Sequence, residues 1–472
     1  MKKFLKNFSL YMLPETFVNA LPFITLPITT RYFGLEEFGI IALFQLCQLP
    51  FTILCEYGVG YIIPGLWFDL KEKEQKQLLF SILFTGFVIV TLSIGILFPF
   101  FELIVNRIAN DSAQHIIKLI PWLYLTVLFN FIPPVFSSWV VITERATLFS
   151  KIKLTETFVK TLFSLSLIVY TQDVYWVIIG TVIANIISNT LKLFILLPNL
   201  KATFKKRFYL EILRIGYPIF IRSLFNQVRG RVDKLFVSSL YSVQTFALYN
   251  WSLRFYDLFT VIDGHFSKVY SPELYQALSK NQPDYNKFRR IFFGWFVLIF
   301  FGCVCFHFIG ERLIAWISND VYTEAFPIIL LSTIVFLIDG AFTAVSVPII
   351  QKKKTKIILY MTMITSMACL FTTWFFVPIY GAYGGVLSLV TLASMTGVMG
   401  AIIKFRMIGQ NWIELKGMAY TFLYIIGISL YFLNFINLSK AFVCITFIVL
   451  ITHFFWQEKK WSANNINLNT GR

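Results

Sequence analysis

Long apolar blocks, each close to 20 residues, dominate this sequence and limit what it can fold into. A helix of about 20 residues crosses the hydrocarbon core of a bilayer, which is about 30 Å thick. Hydrophobic residues make up 57% of the 472 positions and charged residues 14%, whereas a soluble domain carries roughly 25% charged residues. The pattern therefore predicts an all-α polytopic membrane protein and excludes a soluble globular domain.

The apolar blocks predict about fourteen transmembrane helices joined by short loops. All six cysteines fall inside these blocks, which predicts packed free thiols and neither disulfides nor metal ligands. The approximate spans are residues 9–31, 38–62, 78–101, 116–141, 154–171, 174–197, 212–240, 244–266, 289–314, 325–350, 357–378, 382–403, 417–434 and 440–456.

The net charge of +17 is carried mainly by every second loop. Segments on the predicted cytoplasmic side collect 30 of the 41 Lys and Arg residues, and those on the other side hold 5. This bias predicts that both termini are cytoplasmic. The basic residues form no continuous face, so nucleic acid is excluded as a partner.

A repeat emerges when the chain is laid on itself with a shift of 208 residues. The starts of the predicted spans then coincide, and Phe38-Gly39 falls on Phe246-Ala247. Six helices per repeat is an even number, which predicts parallel repeats related by an axis along the membrane normal. The predicted parts are two pseudo-symmetric six-helix lobes, two extra transmembrane helices and a cytoplasmic tail, at residues 1–207, 208–415, 416–456 and 457–472.

The seventh predicted span, residues 212–240, carries five charges in a stretch that must cross the bilayer. Its aliphatic and Phe residues from Ile215 to Leu240 contribute roughly 4–7 kcal/mol towards insertion. Five charges near the membrane centre oppose insertion by roughly 12–18 kcal/mol. The polar side of this helix must therefore face protein or a water-filled cavity.

Four polar residues of this span fall within about 60° of one another at 100° per residue: Arg222, Asn226, Arg229 and Asp233. We interpret them as the lining of a central substrate-binding cavity, because arginine can donate two hydrogen bonds to phosphate oxygens at once. Intramembrane salt bridges that hold helices together are the alternative. Glu15 in the first span is a further candidate lining residue, opposite Arg222.

Asp339 lies midway along the tenth predicted span and has no helical neighbour of opposite charge. It therefore needs a partner on another helix or a proton, and it is the candidate for proton coupling, with a structural hydrogen bond as the alternative. Glu156 and Lys160, spaced i,i+4, predict a structural ion pair. No catalytic residue, metal site or cofactor is predicted, and the lack of a Walker motif excludes an internal ATPase.

Three motifs resemble Wzx-type oligosaccharide flippases of the multidrug/oligosaccharidyl-lipid/polysaccharide (MOP) superfamily. LPITTRYFGLEEFG, from Leu26 to Gly39, is similar to the end of that family's first span and the turn after it. Asp233-Lys234 stands where the family often has an Asp-Arg pair after a proline, here Pro218, so the lysine departs from the pattern. IYGAYGGVLSLVTLAS, from Ile379 to Ser394, resembles the family's Tyr-Gly-x-x-Gly start of the twelfth span.

The resemblance implies a MATE/MurJ-like fold and a secondary transporter, not an enzyme. Such a flippase moves undecaprenyl-pyrophosphate-linked oligosaccharide repeat units across the bacterial inner membrane by alternating access, for surface polysaccharide (O-antigen-type) biosynthesis. Implied partners are the lipid-linked oligosaccharide, the bilayer, a polysaccharide polymerase and a chain-length regulator. Two alternatives stay open: a cation-coupled multidrug exporter of the same superfamily, and a membrane-embedded polysaccharide polymerase or ligase.

Overall fold

The computed structural model describes two compact units, Met1–Asn250 and Trp251–Arg472. Every regular element in its described ranges is a helix, which confirms the predicted all-α fold. The described ranges are residues 17–18, 21, 24–56, 59–68, 70–109, 113–203, 205–279, 285–318, 320–342, 355–408 and 414–469.

The helices are numbered here in chain order over the described ranges. In the first unit they are α1 (Leu35–Cys47), α2 (Leu49–Glu56), α3 (Val59–Trp67), α4 (Glu72–Ala109), α5 (Ala113–Ile117), α6 (Ile120–Phe129), α7 (Ile132–Ile142), α8 (Ala146–Thr171), α9 (Val174–Leu196), α10 (Lys206–Arg229) and α11 (Val232–Leu240). Helix α12 (Val243–Ser279) begins in the first unit and ends in the second. The second unit continues with α13 (Tyr285–Ile317), α14 (Phe326–Ala341), α15 (Thr355–Tyr380), α16 (Ala382–Ile408), α17 (Glu414–Phe432) and α18 (Ile436–Asn469).

Nine helices in the described part of the chain are long and apolar enough to cross a membrane, as expected of a multi-pass membrane protein. The helices α8 and α10, which carry buried or clustered charges, are not among the nine. The predicted total of fourteen spans stays a prediction, because about half of the first span falls outside the described residues. The nine segments are Glu72–Ala109, Ile120–Ile142, Val174–Asn199, Lys287–Ile317, Asp320–Ala341, Lys356–Tyr380, Ala382–Met407, Leu415–Phe432 and Ile436–Gln457.

Within the first unit, α9 packs against α1, α6, α7 and α8, and α4 packs against α2, α5, α6 and α7. The large side chains of Phe51 and Trp139 are almost fully buried in this unit. Helix α10 packs against α2, α3 and α4, and α11 packs against α1 and α4. The charged seventh span is thus held by the helices that precede it in the chain.

Within the second unit, α14 packs against α13, α16 and α17, and α18 packs against α13 and α17. The Tyr424 hydroxyl lies 3.1 Å from the Thr333 hydroxyl and donates to the carbonyl of Cys303 at 3.4 Å. All three residues are buried, so these hydrogen bonds join α13, α14 and α17 inside the unit. The six cysteines are free thiols, four of them buried and two, Cys305 and Cys444, partly buried.

The helix boundaries repeat with the predicted shift of 208 residues. Leu35, where α1 begins, maps onto Val243, where α12 begins, and Val174, where α9 begins, maps onto Ala382, where α16 begins. The compact units divide after Asn250, inside α12, and not near residue 207. The predicted lobe boundaries therefore stay a prediction, although the repeat itself is visible in the helices.

Two glycines in the run from Ile379 to Ser394 shape the turn between α15 and α16. Gly381 has a φ of 59°, in the left-handed region that favours glycine, and its N–H donates to the carbonyl of Val377 at 2.8 Å. Gly384 lies so close to the carbonyl of Phe376 that an added Cβ would overlap backbone atoms. The motif therefore has a packing role at this turn.

Candidate functional site

The polar stripe predicted on the seventh span begins on α10, which carries Arg222, Asn226 and Arg229 at helical spacing. The Asn226 side chain is exposed and that of Arg229 is partly buried. The side chain of Arg222 lies outside the described part of the structure, as does the whole of Glu15. Helix α10 thus leaves at least one polar side chain uncovered by protein, one turn before an arginine.

The single helix predicted over residues 212–240 is wrong, because the structure has two helices there. Helix α10 ends at Arg229, Gly230 and Arg231 form a turn, and α11 begins at Val232. The N–H of Gly230 donates to the carbonyl of Asn226 at 3.0 Å and closes the last turn of α10. Arg231 has φ −147° and ψ 0°, which no α-helix contains. The angular register of the stripe therefore stops at Arg229.

Asp233 lies beyond this turn, on the first part of α11, and its side chain is only 1% exposed. The hydroxyl of Tyr249, on α12 in the same unit, donates a hydrogen bond to its Oδ2 atom. Tyr249 is itself fully buried. Asp233 therefore joins α11 to α12 in this conformation, and its place in a substrate-binding cavity stays a prediction.

Asp339 lies on α14 in the second unit and is partly buried. The hydroxyl of Tyr256, on α12, donates to its Oδ2 atom at 3.0 Å. Asp339 thus has a hydrogen-bond partner on another helix, which was one of the two alternatives for it. Its role in proton coupling stays a prediction.

A three-residue ion cluster joins α8 and α9 in the first unit. Glu156 pairs with Lys160, which confirms the predicted i,i+4 pair. It also pairs with Lys192, on α9, with 2.8 Å between the Lys192 Nζ and Glu156 Oε2 atoms. Sequence reasoning missed Lys192 as a partner, since no local spacing links residues on two different helices.

The described residues supply cationic and amide donors for phosphate recognition. A guanidinium donates in a planar fork that matches two phosphate oxygens, and an amide adds a neutral donor beside it. Within the described ranges, no group of three or more His, Cys, Asp and Glu side chains is placed to hold a metal ion. The described polar groups of the stripe on α10, Asn226 and Arg229, are of kinds that can donate hydrogen bonds to an anion.

Comparisons with known proteins agree with this picture. A family profile described as "Polysaccharide biosynthesis protein" matches residues 4–271. No curated protein matches the chain.

Three solved structures share the fold. The lipid II flippase MurJ in an inward closed conformation has a TM-score of 0.72 at 15% identity, over 94% of this chain and 98% of that chain. An inward-facing multidrug resistance MATE family transporter of the MOP superfamily has a TM-score of 0.59 at 13% identity, over 83% and 94%. The eukaryotic MATE transporter AtDTX14 has a TM-score of 0.57 at 14% identity, over 88% and 97%. These likenesses confirm the predicted MATE/MurJ-like fold.

Proposed function

This chain belongs to the polysaccharide biosynthesis protein family, and from that premise we propose that it is a flippase for lipid-linked oligosaccharides. It moves undecaprenyl-pyrophosphate-linked repeat units across the bacterial cytoplasmic membrane by alternating access, without ATP hydrolysis. The observation that best supports the proposal is α10, a basic helix inside an otherwise apolar chain, with Asn226 exposed one turn before Arg229.

The headgroup chemistry follows from the spacing on α10. Arg222 and Arg229 are seven residues apart, which corresponds to about 10 Å along a helix. We propose that Arg222 and Arg229 each bind one end of a pyrophosphate-sugar headgroup and that Asn226, between them in the chain, donates to an oxygen. The attraction between arginine and phosphate charges is much stronger in a low-dielectric setting than in water, so it offsets the loss of hydration of the pyrophosphate.

Two other predicted residues keep their proposed roles. Glu15 completes the substrate-binding surface opposite Arg222, and Asp339, with its hydroxyl partner Tyr256, exchanges a proton during the transport cycle. For Asp233 we propose a positioning role, because the Tyr249 hydroxyl on α12 donates a hydrogen bond to it.

The sign of the charge on α10 disfavours the multidrug exporter. A cavity for cationic drugs needs carboxylates, whereas α10 carries Arg222 and Arg229 in its polar stripe. The likeness to MATE transporters is at 13–14% identity and concerns the fold. The polymerase alternative has no supporting feature in the described residues.

Substitution of Arg229 tests the proposal. In a deletion strain complemented with the variant, Arg229→Ala should lower the rate of repeat-unit export by about 10-fold to 100-fold, since a hydrogen bond to a charged group contributes about 1.5–3 kcal/mol. Arg229→Lys keeps the charge and loses the planar fork, so it should restore export only in part. Export is measured as the ratio of surface polymer to lipid-linked repeat unit retained in the membrane.

The matched control is Arg214→Ala, which removes an exposed arginine of the same helix outside the polar stripe. It should leave export within about twofold of the wild type, with equal protein in the membrane. Wild-type export by Arg229→Ala, or equal losses from both alanine variants, would contradict the phosphate-binding role of the stripe.

The proposal includes the setting of the transporter. Both termini are cytoplasmic, because the basic loops lie on one predicted side, and the exported repeat units pass to a polysaccharide polymerase and a chain-length regulator. Reporter fusions at the C-terminus and in successive loops test the orientation. A periplasmic signal from a C-terminal fusion would refute it.

A further inference from the structure

A cleft of about 400 Å³ runs between α8 and α9 in the first unit. Its lining is mostly apolar, and several of these side chains are about half exposed, such as Val159 at 52% and Ile187 at 56%. In a bilayer, exposed aliphatic side chains on two adjacent transmembrane helices contact acyl chains. The residues that line the cleft are Lys151, Ile152, Thr155, Glu156, Val159, Lys160, Phe163, Ile183, Ala184, Ile187, Ser188, Leu191 and Ile195.

Four charged groups line or adjoin this apolar cleft. Lys151, Glu156 and Lys160 line it directly, and Lys192 reaches Glu156 from α9. Lys151 lies in the second turn of α8 and is exposed, whereas the Lys192 side chain is only 8% exposed. Lys151 and Lys192 lie towards the end of the α8–α9 hairpin that is opposite its turn at Gln172, and Glu156 and Lys160 lie nearer the middle of α8.

The cluster carries more positive than negative charge. Glu156 is its only carboxylate among the cleft residues, and it neutralises one of the two lysines that contact it. Each lysine ammonium has three N–H donors, and one carboxylate has two oxygens. Lys192 also donates to Asn189 Oδ1 at 3.4 Å, but the three lysines still carry three positive charges against the one negative charge of Glu156. A surplus of positive charge in a cleft lined mostly by apolar side chains attracts an anion that carries an apolar tail.

We propose that the α8–α9 cleft binds an anionic phospholipid of the leaflet at this end of the hairpin. The phosphate accepts a hydrogen bond from Lys151 at the rim, and Lys160 and Lys192 add positive charge further along the cleft, where Glu156 offsets part of it. An acyl chain lies along Val159 and Ile187. Basic pockets between transmembrane helices recognise phospholipid headgroups by this combination of charge and apolar surface, and long lysine side chains reach towards the headgroup level.

The bound phospholipid is separate from the proposed cargo. The cleft lies on α8 and α9, whereas the proposed cargo contacts lie on α10, and the two helix sets carry different cations. Lipid binding at the cleft would make the stability of the first unit depend on the lipid composition of the membrane. The proposal for the cleft does not depend on whether α10 binds a pyrophosphate.

Native mass spectrometry of the purified full-length protein tests the proposal. The protein is mixed in detergent with palmitoyl-oleoyl phosphatidylglycerol or with the phosphatidylcholine of the same chains. We expect the wild type to retain phosphatidylglycerol at least about 10-fold better. The double variant Lys151→Gln/Lys160→Gln should bind it about 10-fold more weakly, a change that corresponds to ~1.4 kcal/mol.

Two further variants separate a lipid site from a purely structural ion cluster. Lys153→Gln makes the same charge change on the same helix but does not line the cleft, so it should stay within about twofold of the wild type. Glu156→Gln removes the competing carboxylate, so it should bind phosphatidylglycerol more tightly. If that variant does not fold, Lys151→Gln alone, at an exposed side chain, should still weaken binding about threefold.

Three outcomes would overturn the phospholipid site. The first is equal retention of phosphatidylglycerol and phosphatidylcholine by the wild type. The second is an equal effect of Lys153→Gln and Lys151→Gln. The third is displacement of phosphatidylglycerol by an equimolar polyprenyl diphosphate, which would assign the cleft to the cargo lipid.

Discussion

The hydrogen bond between Tyr249 and Asp233 should stabilise the first unit measurably. Both side chains are buried, and the tyrosine hydroxyl is the donor that the structure assigns to Asp233 Oδ2. Tyr249→Phe removes only that hydroxyl and leaves a buried acceptor unsatisfied, at a cost of about 1–3 kcal/mol. Taking about 2 kcal/mol, and about 2–4 °C per kcal/mol for a unit of this size, the unfolding midpoint in detergent should fall by about 4–8 °C.

Tyr124→Phe is the matched control, because it removes the same atom from a hydroxyl that is buried without a hydrogen-bond partner in the described structure. Its midpoint should equal or exceed that of the wild type, since a buried polar group without a partner is removed. A double-mutant cycle with Asp233→Asn checks that the loss belongs to this contact. The reasoning is refuted if both phenylalanine variants lose the same stability, or if Tyr249→Phe loses as much in the Asp233→Asn background as beside the native aspartate.

Three more substitutions test other parts of the structure. Gly384→Ala should lower the unfolding midpoint clearly, because its Cβ would overlap a backbone carbonyl. Gly95→Ala, with no atom within 4 Å of the added Cβ, should leave the midpoint unchanged or raise it by the equivalent of up to ~1 kcal/mol. Equal losses from the two variants would contradict the packing at the turn. Gln172→Gly should stabilise by about 1 kcal/mol, because Gln172 has a φ of 51°, and a loss of stability would contradict the strained backbone. Asp339→Asn should keep the contact with Tyr256 and the unfolding midpoint but abolish the pH dependence of export, and an unchanged pH profile would exclude coupling through this residue.

The fold was largely predictable because hydropathy reports directly on membrane helices. The predicted start of the sixth span at residue 174 and of the twelfth at residue 382 coincide with the starts of α9 and α16. The repeat of 208 residues was recognised from the positions where the predicted spans begin, and not from identical residues in the two halves. The left-handed backbone at Gly381 ends α15 just before α16 begins at residue 382.

The interruption of the seventh span was harder to predict. Gly230 is a breaking signal in the sequence, but the apolar pattern continues on both sides of it, and a single glycine is often tolerated inside a helix. The structure shows that α10 ends one residue earlier, at Arg229. Periodicity across the break therefore assigned Asp233 to a stripe that it does not join.

The contact between Lys192 and Glu156 was beyond sequence reasoning for a different reason. Local spacing identifies partners three or four residues apart, and Lys160 was found in this way. Lys192 meets the same carboxylate only because α9 folds back on α8. The rotation of one transmembrane helix against another depends on side-chain packing along both, which hydropathy does not encode.

The place of α10 and α11 within the first unit has a consequence for biosynthesis. Helix α11 has nine residues, about 13 Å, and is too short to cross a bilayer as an independent segment. Both helices pack on α1 to α4, which leave the ribosome earlier. The nascent chain therefore completes its first compact unit only after Asn250 has been made. The polar segment of α10 and α11 enters the membrane when the helices that it packs against have already been inserted.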